Sequence, residues 1–190
     1  MSKEKKPTEG VLAEAHQGLR VIIPNKPSRR VHFNLADFKR IAKDAFRIKM
    51  AMRSPFPGRY PLAASISHCQ IAEQDPLRFF VVNKWGNQKL KWYFGGMRTI
   101  INPEITWTGK ASTRNREGCM SFPFQSLVSV KRSEIVEVDY YTLPRMFLRI
   151  LKIPVGPAHK KLYLERAFLV QHEVDHMNNI NIIDRWKHRN

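Results

Sequence analysis

Acidic residues are scarce in this chain of 190, with 16 Asp and Glu against 33 Lys and Arg and a formal charge of +17. Such an imbalance creates a positive field that draws polyanions or acidic surfaces, or else simply keeps the protein solvated. The excess gathers early in the chain, and Arg185, Lys187 and Arg189 add to it at the end. Cysteine is nearly absent. Cys69 and Cys119 are expected to stay reduced, as ligands, nucleophiles or core residues rather than as a disulfide. There is no run of 18 apolar residues, and no apolar stretch follows Met1-Ser2-Lys3-Glu4-Lys5-Lys6. Neither a membrane span nor a secretory signal is expected, and the protein reads as cytoplasmic. Zinc-finger spacing, RNP-type aromatic motifs, helix-turn-helix signals and internal repeats are all missing, which leaves the basic surface without a sequence-specific reader of nucleic acid.

Within those bounds the length suits one domain with a sizeable core. Met1 to Gly10 read as a mobile polar tail and residues 11–190 as a single domain. From Asn34 the pattern changes. Leu35, Phe38, Ile41, Ala42, Ala45, Phe46 and Met52 recur at helical spacing opposite Lys39, Lys43 and Arg47, which predicts an amphipathic helix ending near Arg53, ahead of Pro55 and Pro57. Asn34 is a good N-cap and Asp37 suits the first turn. Strand-like runs follow at 78–82, 90–94, 99–101, 127–130 and 135–141. In the last of these, Ile135, Glu137 and Asp139 alternate with Val136, Val138 and Tyr140, which predicts one wet face. After the turn Pro154-Val155-Gly156-Pro157, a final helix is expected to begin near His159 or Lys160 and to run to about Asn178. Helices at both ends of a run of strands predict an α+β domain, with antiparallel or mixed β-sheets around the last helix.

That last helix carries Gln171-His172-Glu173-Val174-Asp175-His176. Positions i and i+4 share a helix face, so both imidazoles can reach one divalent ion while Glu173 stands beside it. The chemistry this suits is hydrolytic. A bound ion makes water a stronger acid, and the adjacent carboxylate can take its proton and deliver it to a leaving amine. An ordinary helix with two paired histidines is the bland alternative. A third protein ligand is needed. Asp175 is one candidate, or it orients an imidazole or a lysine instead. Cys119, in Glu117-Gly118-Cys119-Met120-Ser121, follows a glycine bend that can present a thiolate, unless it is a buried core thiol.

Taken together, the box Glu117-Gly118-Cys119-Met120-Ser121 and the segment His172-Glu173-Val174-Asp175-His176 resemble two motifs of the peptide deformylases, E-G-C-[LM]-S and H-E-x-D-H. Ile101-Asn102-Pro103-Glu104, Gln171 and Asp184-Arg185 are supporting matches, and the resemblance covers roughly residues 35–185. It implies Cys119, His172 and His176 as metal ligands, with ferrous iron as the native ion and zinc or nickel as substitutes. The family's first motif, G-x-G-L-A-A-x-Q-I, falls on Ala63-Ala64-Ser65-Ile66-Ser67-His68-Cys69-Gln70-Ile71, which keeps Gln70 and Ile71 but loses both glycines and both alanines. By this resemblance Glu173 acts as general base and then acid, while the Gln70 side chain and the backbone N–H of Met120 stabilise the oxyanion. Ala64, Ser65, Ile66, Glu117, Gly118, Phe168 and Leu169 are expected around the substrate, although plain core packing would also account for Phe168 and Leu169. Glu117 is expected to pair with Lys131 or Arg132. His68 and Cys69, although they adjoin Gln70, are read as packed or exposed residues rather than ligands.

The implied reaction removes formate from the N-formyl-methionine of nascent peptides. Two other classes stay open: a divergent, inactive member acting as a basic ribosome- or RNA-binding module, and a zincin-type metallopeptidase. The chain reaches Asn190 fourteen residues after His176, which is similar to compact, virus-encoded members; for such a member the site of action would be the host cytoplasm. A monomer with no membrane partner is expected, and with it a non-specific ribosome or RNA contact through the basic surface.

Overall fold

The computed structural model describes residues 13–15, 19–52, 64–83, 97–122 and 127–187. The expected polar tail at Met1 to Gly10 and the strand expected at 90–94 lie outside these residues. Helix α1 spans Leu35–Met52. Its start is set by Asn34, whose Oδ1 accepts the Asp37 N–H at 2.8 Å. Ile41, Ala45, Ile48 and Met52 form its buried stripe, and Lys39, Lys43 and Arg47 face solvent. Phe46 is 63% exposed. At 100° per residue it stands roughly 140° round from the centre of that stripe, so its apolar character does not place it in the core.

Nine strands accompany four helices among the described residues. A short pair, β1 (Ala13–Ala15) and β2 (Leu19–Val21), precedes α1. The main sheet contains β3 (Ser65–Ser67), β4 (Phe79–Asn83), β5 (Met97–Thr108), β8 (Ile135–Tyr141) and β9 (Ala158–Tyr163), in the order β3-β4-β5-β8-β9 and antiparallel throughout. A separate hairpin is made by β6 (Ser112–Glu117) and β7 (Val128–Ser133). Helix α2 (Leu143–Ile150) follows β8, α3 (Glu165–Met177) follows β9, and α4 (Ile182–Lys187) comes last. None of the described helices is long and apolar enough to cross a membrane.

At β4 both faces of the main sheet are covered, which explains the apolar run Phe79 to Val82. Phe79 and Val81 pack on one side with Ile41, Ile48 and Met52 of α1, while Phe80 packs on the other with Val170, Val174 and Met177 of α3. In β8 the residues Val136, Val138 and Tyr140 are buried and their neighbours half-buried, a period of two imposed by the pleat.

The final helix begins later than the sequence predicts. His159 and Lys160 belong to β9, which pairs along β8 with Val136 opposite Leu162 and Tyr140 opposite Ala158. The open edge of β8 needs partners for its amides and carbonyls, and that demand outweighs the helical pattern after Pro157. Leu164, at φ 46°, turns the chain out of the strand, and α3 begins at Glu165. A second irregularity lies in β5, where the pairing with β8 shifts register between Ile101 and Glu104. Asn102 sits there at φ 48°. Its side chain accepts the Val31 N–H at 2.8 Å and donates to the Val31 carbonyl at 3.0 Å, tying the segment before α1 to the sheet.

Candidate active site

Helix α3 presents His172 and His176 one turn apart, and their Nε2 atoms lie 3.1 Å from each other. Cys119 comes from the segment leaving β6, with Sγ 3.1 Å from His176 Nε2. The three donor atoms lie within 4.8 Å of one another, the only such group of His, Cys, Asp or Glu among the described residues. His172 Nδ1 stands 3.0 Å from Glu117 Oε2, so the ring donates there and turns its Nε2 toward the other donors. His176 Nδ1 is buried and has no hydrogen-bond partner among the described residues, so this ring engages its surroundings through Nε2.

A carboxylate and guanidinium network backs these donors. Arg132 of β7 grips Glu117 with Nε and Nη2, each at 2.9 Å, and donates from Nη1 to Asp175. Asp175 also accepts from Arg185 of α4, at 2.9 and 2.5 Å. Lys131 points to solvent, so Arg132 is the basic partner of Glu117. Asp175 turns toward two arginines rather than toward an imidazole or a lysine, and it stands outside the donor group.

Charge in this pocket is arranged for a cation. Burial works to raise the Glu117 carboxyl, but the Arg132 and His172 bonds overcome it and hold it down to about 2. Burial likewise disfavours charge on His172, yet the bonds to Cys119 and Glu117 lift it to about 10. His176 is held well below the ordinary histidine value by burial and then by repulsion from His172. A cysteine sulfur and two imidazole nitrogens, closely grouped beside a carboxylate held by an arginine, make a donor set that fits a divalent metal.

Two further groups meet this centre. Gln70 ends the single 3₁₀ turn His68–Gln70 that follows β3. Its Oε1 accepts the Ser67 N–H at 2.9 Å, and its Nε2 donates to Ser121 Oγ at 3.0 Å and stands 3.9 Å from Cys119 Sγ. Ser121 in turn donates to the Ile22 carbonyl at 2.9 Å, so Gln70 has one orientation. Glu173 is 2% exposed and receives hydroxyl bonds from Ser65 and Ser67. Met120 lies in the turn closed by the Phe122 N–H on the Cys119 carbonyl, and its side chain packs toward the α1 core.

The remaining expected residues differ in their surroundings. Ile66 is 1% exposed and packs its side chain into the α1 core; Phe168 is buried, while Leu169 rests half-buried against the α3 core. Ala64 is half-buried, and Gly118 is exposed, where an added Cβ would stand 3.2 Å from Leu127 Cδ2. His68 is a packing residue. Its Nδ1 accepts the Leu77 N–H at 2.8 Å, its Nε2 lies 3.2 Å from Asp44 Oδ2, and its ring stacks on Phe79. Burial, followed by the charge of Glu173, pushes the Cys69 thiol up to about 12, so it stays protonated in the core. Ser67 and Ser121 are contacts that sequence reasoning did not single out. Only their places inside the two motif segments hinted at them.

The polypeptide deformylase family model matches residues 23–190. The chain belongs to this family. A peptide deformylase of Thermotoga neapolitana is 36% identical over 110 residues, 58% of this chain and 55% of that protein. One from Synechocystis is 34% identical over 87 residues, covering 45% and 40% respectively. The chain thus spans about half the length of the curated deformylases it matches, or less. Among solved structures, the deformylase of Plasmodium falciparum superposes with a TM-score of 0.63 at 24% identity over 87% of this chain and 85% of that one. A protein described as a probable peptide deformylase from Synechococcus phage S-SSM7 gives 0.65 at 21% identity, over 88% and 99%. These superpositions establish the deformylase fold, an α+β arrangement with antiparallel sheets.

Proposed function

We propose that this chain hydrolyses the N-formyl group of formyl-methionine at the start of nascent peptides, releasing formate and a free amine. The observation that carries the reading is the grouping of Cys119, His172 and His176, with Gln70 Nε2 3.9 Å from Cys119 Sγ and Glu173 next to His172 on α3. Family membership supports it. Cys119, His172 and His176 would hold a divalent cation, which supplies positive charge to polarise the formyl carbonyl and acidify water. Ferrous iron is the native metal in this reading, with zinc or nickel as substitutes, and thiolate ligation makes the iron form sensitive to oxidation. Glu173 takes the proton of the attacking water and passes it to the nitrogen as the C–N bond breaks. Gln70 Nε2 and the Met120 amide donate to the oxygen on which negative charge develops.

The substrate places the protein in the cytoplasm, where a monomer reaches emerging chains through a non-specific, basic ribosome contact. An inactive RNA-binding module would have no need of so complete a set of catalytic groups, and a zincin-type peptidase does not account for the Cys119 box. Formate release from a formyl-Met tripeptide, beside cleavage of its unformylated form, tests the reading. Formate release alone is expected; cleavage of the unformylated peptide, or neither product, would reject it.

A further inference from the structure

We infer that Ser65 and Ser67 are positioning residues for Glu173, a pair of hydroxyl donors on one short strand that hold its carboxylate by both oxygens. The inference rests on the deformylation reading above, in which Glu173 moves the proton. Residues i and i+2 of a strand leave the same face, so Ser65 and Ser67 of β3 point together while Ile66 between them enters the opposite core. The face they share looks onto α3 at Glu173. Ser65 Oγ donates to Oε1 at 2.5 Å, and Ser67 Oγ donates to Oε2 while lying 3.4 Å from the Glu173 carbonyl. Ser67 is fully buried and Glu173 nearly so, which leaves little water to compete for these charge-assisted bonds.

A glutamate side chain has three torsions, and a base aimed at a reacting water tolerates little error in placement. Engaging one carboxylate oxygen leaves the group free to swing about that contact, whereas engaging both selects one rotamer. The first-motif pattern quoted above has glycine and alanine at these two positions, and neither can supply a hydroxyl. Both departures fall on the same carboxylate. Gln70 belongs to the same device, because the Ser67 N–H orients its amide while the Ser67 hydroxyl orients the base.

The test is steady-state hydrolysis of a formyl-Met tripeptide by metal-loaded protein, with metal content measured for each variant. Ser65→Ala and Ser67→Ala should each lower kcat by roughly tenfold, with KM within about twofold and metal occupancy unchanged. Ser65→Thr, which keeps the hydroxyl, should recover most of the loss. In a Glu173→Gln background, Ser→Ala should leave the residual rate unchanged, since no base remains to be aimed. Wild-type kcat in the double Ser→Ala variant, or an equal loss in the Glu173→Gln background, would overturn the inference. A crystal structure of the double variant decides the point without turnover. Alternative Glu173 rotamers are expected, and a carboxylate left in its wild-type position would reject positioning. Absence of formate release by the wild-type protein would reject the deformylation reading alone.

Discussion

His176 reaches its neighbours through one nitrogen, 3.1 Å from Cys119 Sγ and 3.1 Å from His172 Nε2, and among the described residues no other donor joins this group. His176→Ala should therefore lose stoichiometric metal and formate release together, because two ligands hold a divalent ion far more weakly than three. Metal analysis after gel filtration reads the result, and stoichiometric metal in the variant would remove His176 from the ligand set. Glu173 separates chemistry from binding. Glu173→Gln preserves shape and the donors beside it but removes the proposed base, so metal content should persist while kcat drops by at least about 10². Turnover close to wild type would mean that another group handles the proton.

Four elements meet at Arg132, which ties β6 through Glu117 and α3 through Asp175, while Asp175 binds α4 through Arg185. Replacing this 3%-exposed side chain with methionine takes one charged partner from each of two buried carboxylates, leaving Glu117 with His172 and Asp175 with Arg185. We expect Arg132→Met to cost about 3–5 kcal/mol in denaturant unfolding and to loosen metal retention, since Glu117 orients His172. Wild-type stability would show that the network is dispensable. At the other end of the fold, Asp37 anchors the first turn of α1. It accepts Arg29 at 2.9 and 2.8 Å and the His32 N–H at 2.8 Å. The Arg29 bonds hold its carboxyl below the usual range. Because the folded value is the lower one, this stabilisation is complete above the ordinary carboxylate pKa of about 4 and fades as pH falls through the folded value. Asp37→Asn should cost about 1.5–3 kcal/mol near neutrality and progressively less in acid. A constant difference between pH 7 and 2 would show that Asp37 contributes something other than its charge.

For the molecule as a whole, a charge of +17 sets the long-range behaviour. Ribosomes expose RNA phosphate, so co-sedimentation is expected at low salt and should fall steeply as salt rises, while hydrolysis of a short formyl-peptide changes little. Lys39, Lys43 and Arg47 lie exposed along α1 and are the residues to reverse. Arg185 is unsuitable for that experiment, since it is bonded to Asp175. If binding survives reversal of the three α1 charges, or never occurs at low ionic strength, the basic surface has another purpose.

Local spacing was legible because it follows from backbone geometry alone. Residues four apart share a helix face and residues two apart share a strand face, so the His172 and His176 pair, the stripe of α1 apart from the exposed Leu35 and Phe46, and the alternation in β8 could be read directly. Motif resemblance added Cys119 and Gln70, but as names on a line rather than as positions. Contacts between distant residues depend on sheet register and packing, which no local period encodes. Cys119 and His176 are 57 residues apart in sequence, and Ser65 and Glu173 are 108 apart. Tertiary structure alone chose Arg132 over Lys131, because the β6–β7 hairpin turns one inward and the other out. It also made a strand of His159 and Lys160, where the open edge of β8 outweighed local preference. Ser65 and Ser67 looked like losses of glycine and alanine in the sequence; only the approach of β3 to α3 brought their hydroxyls onto Glu173.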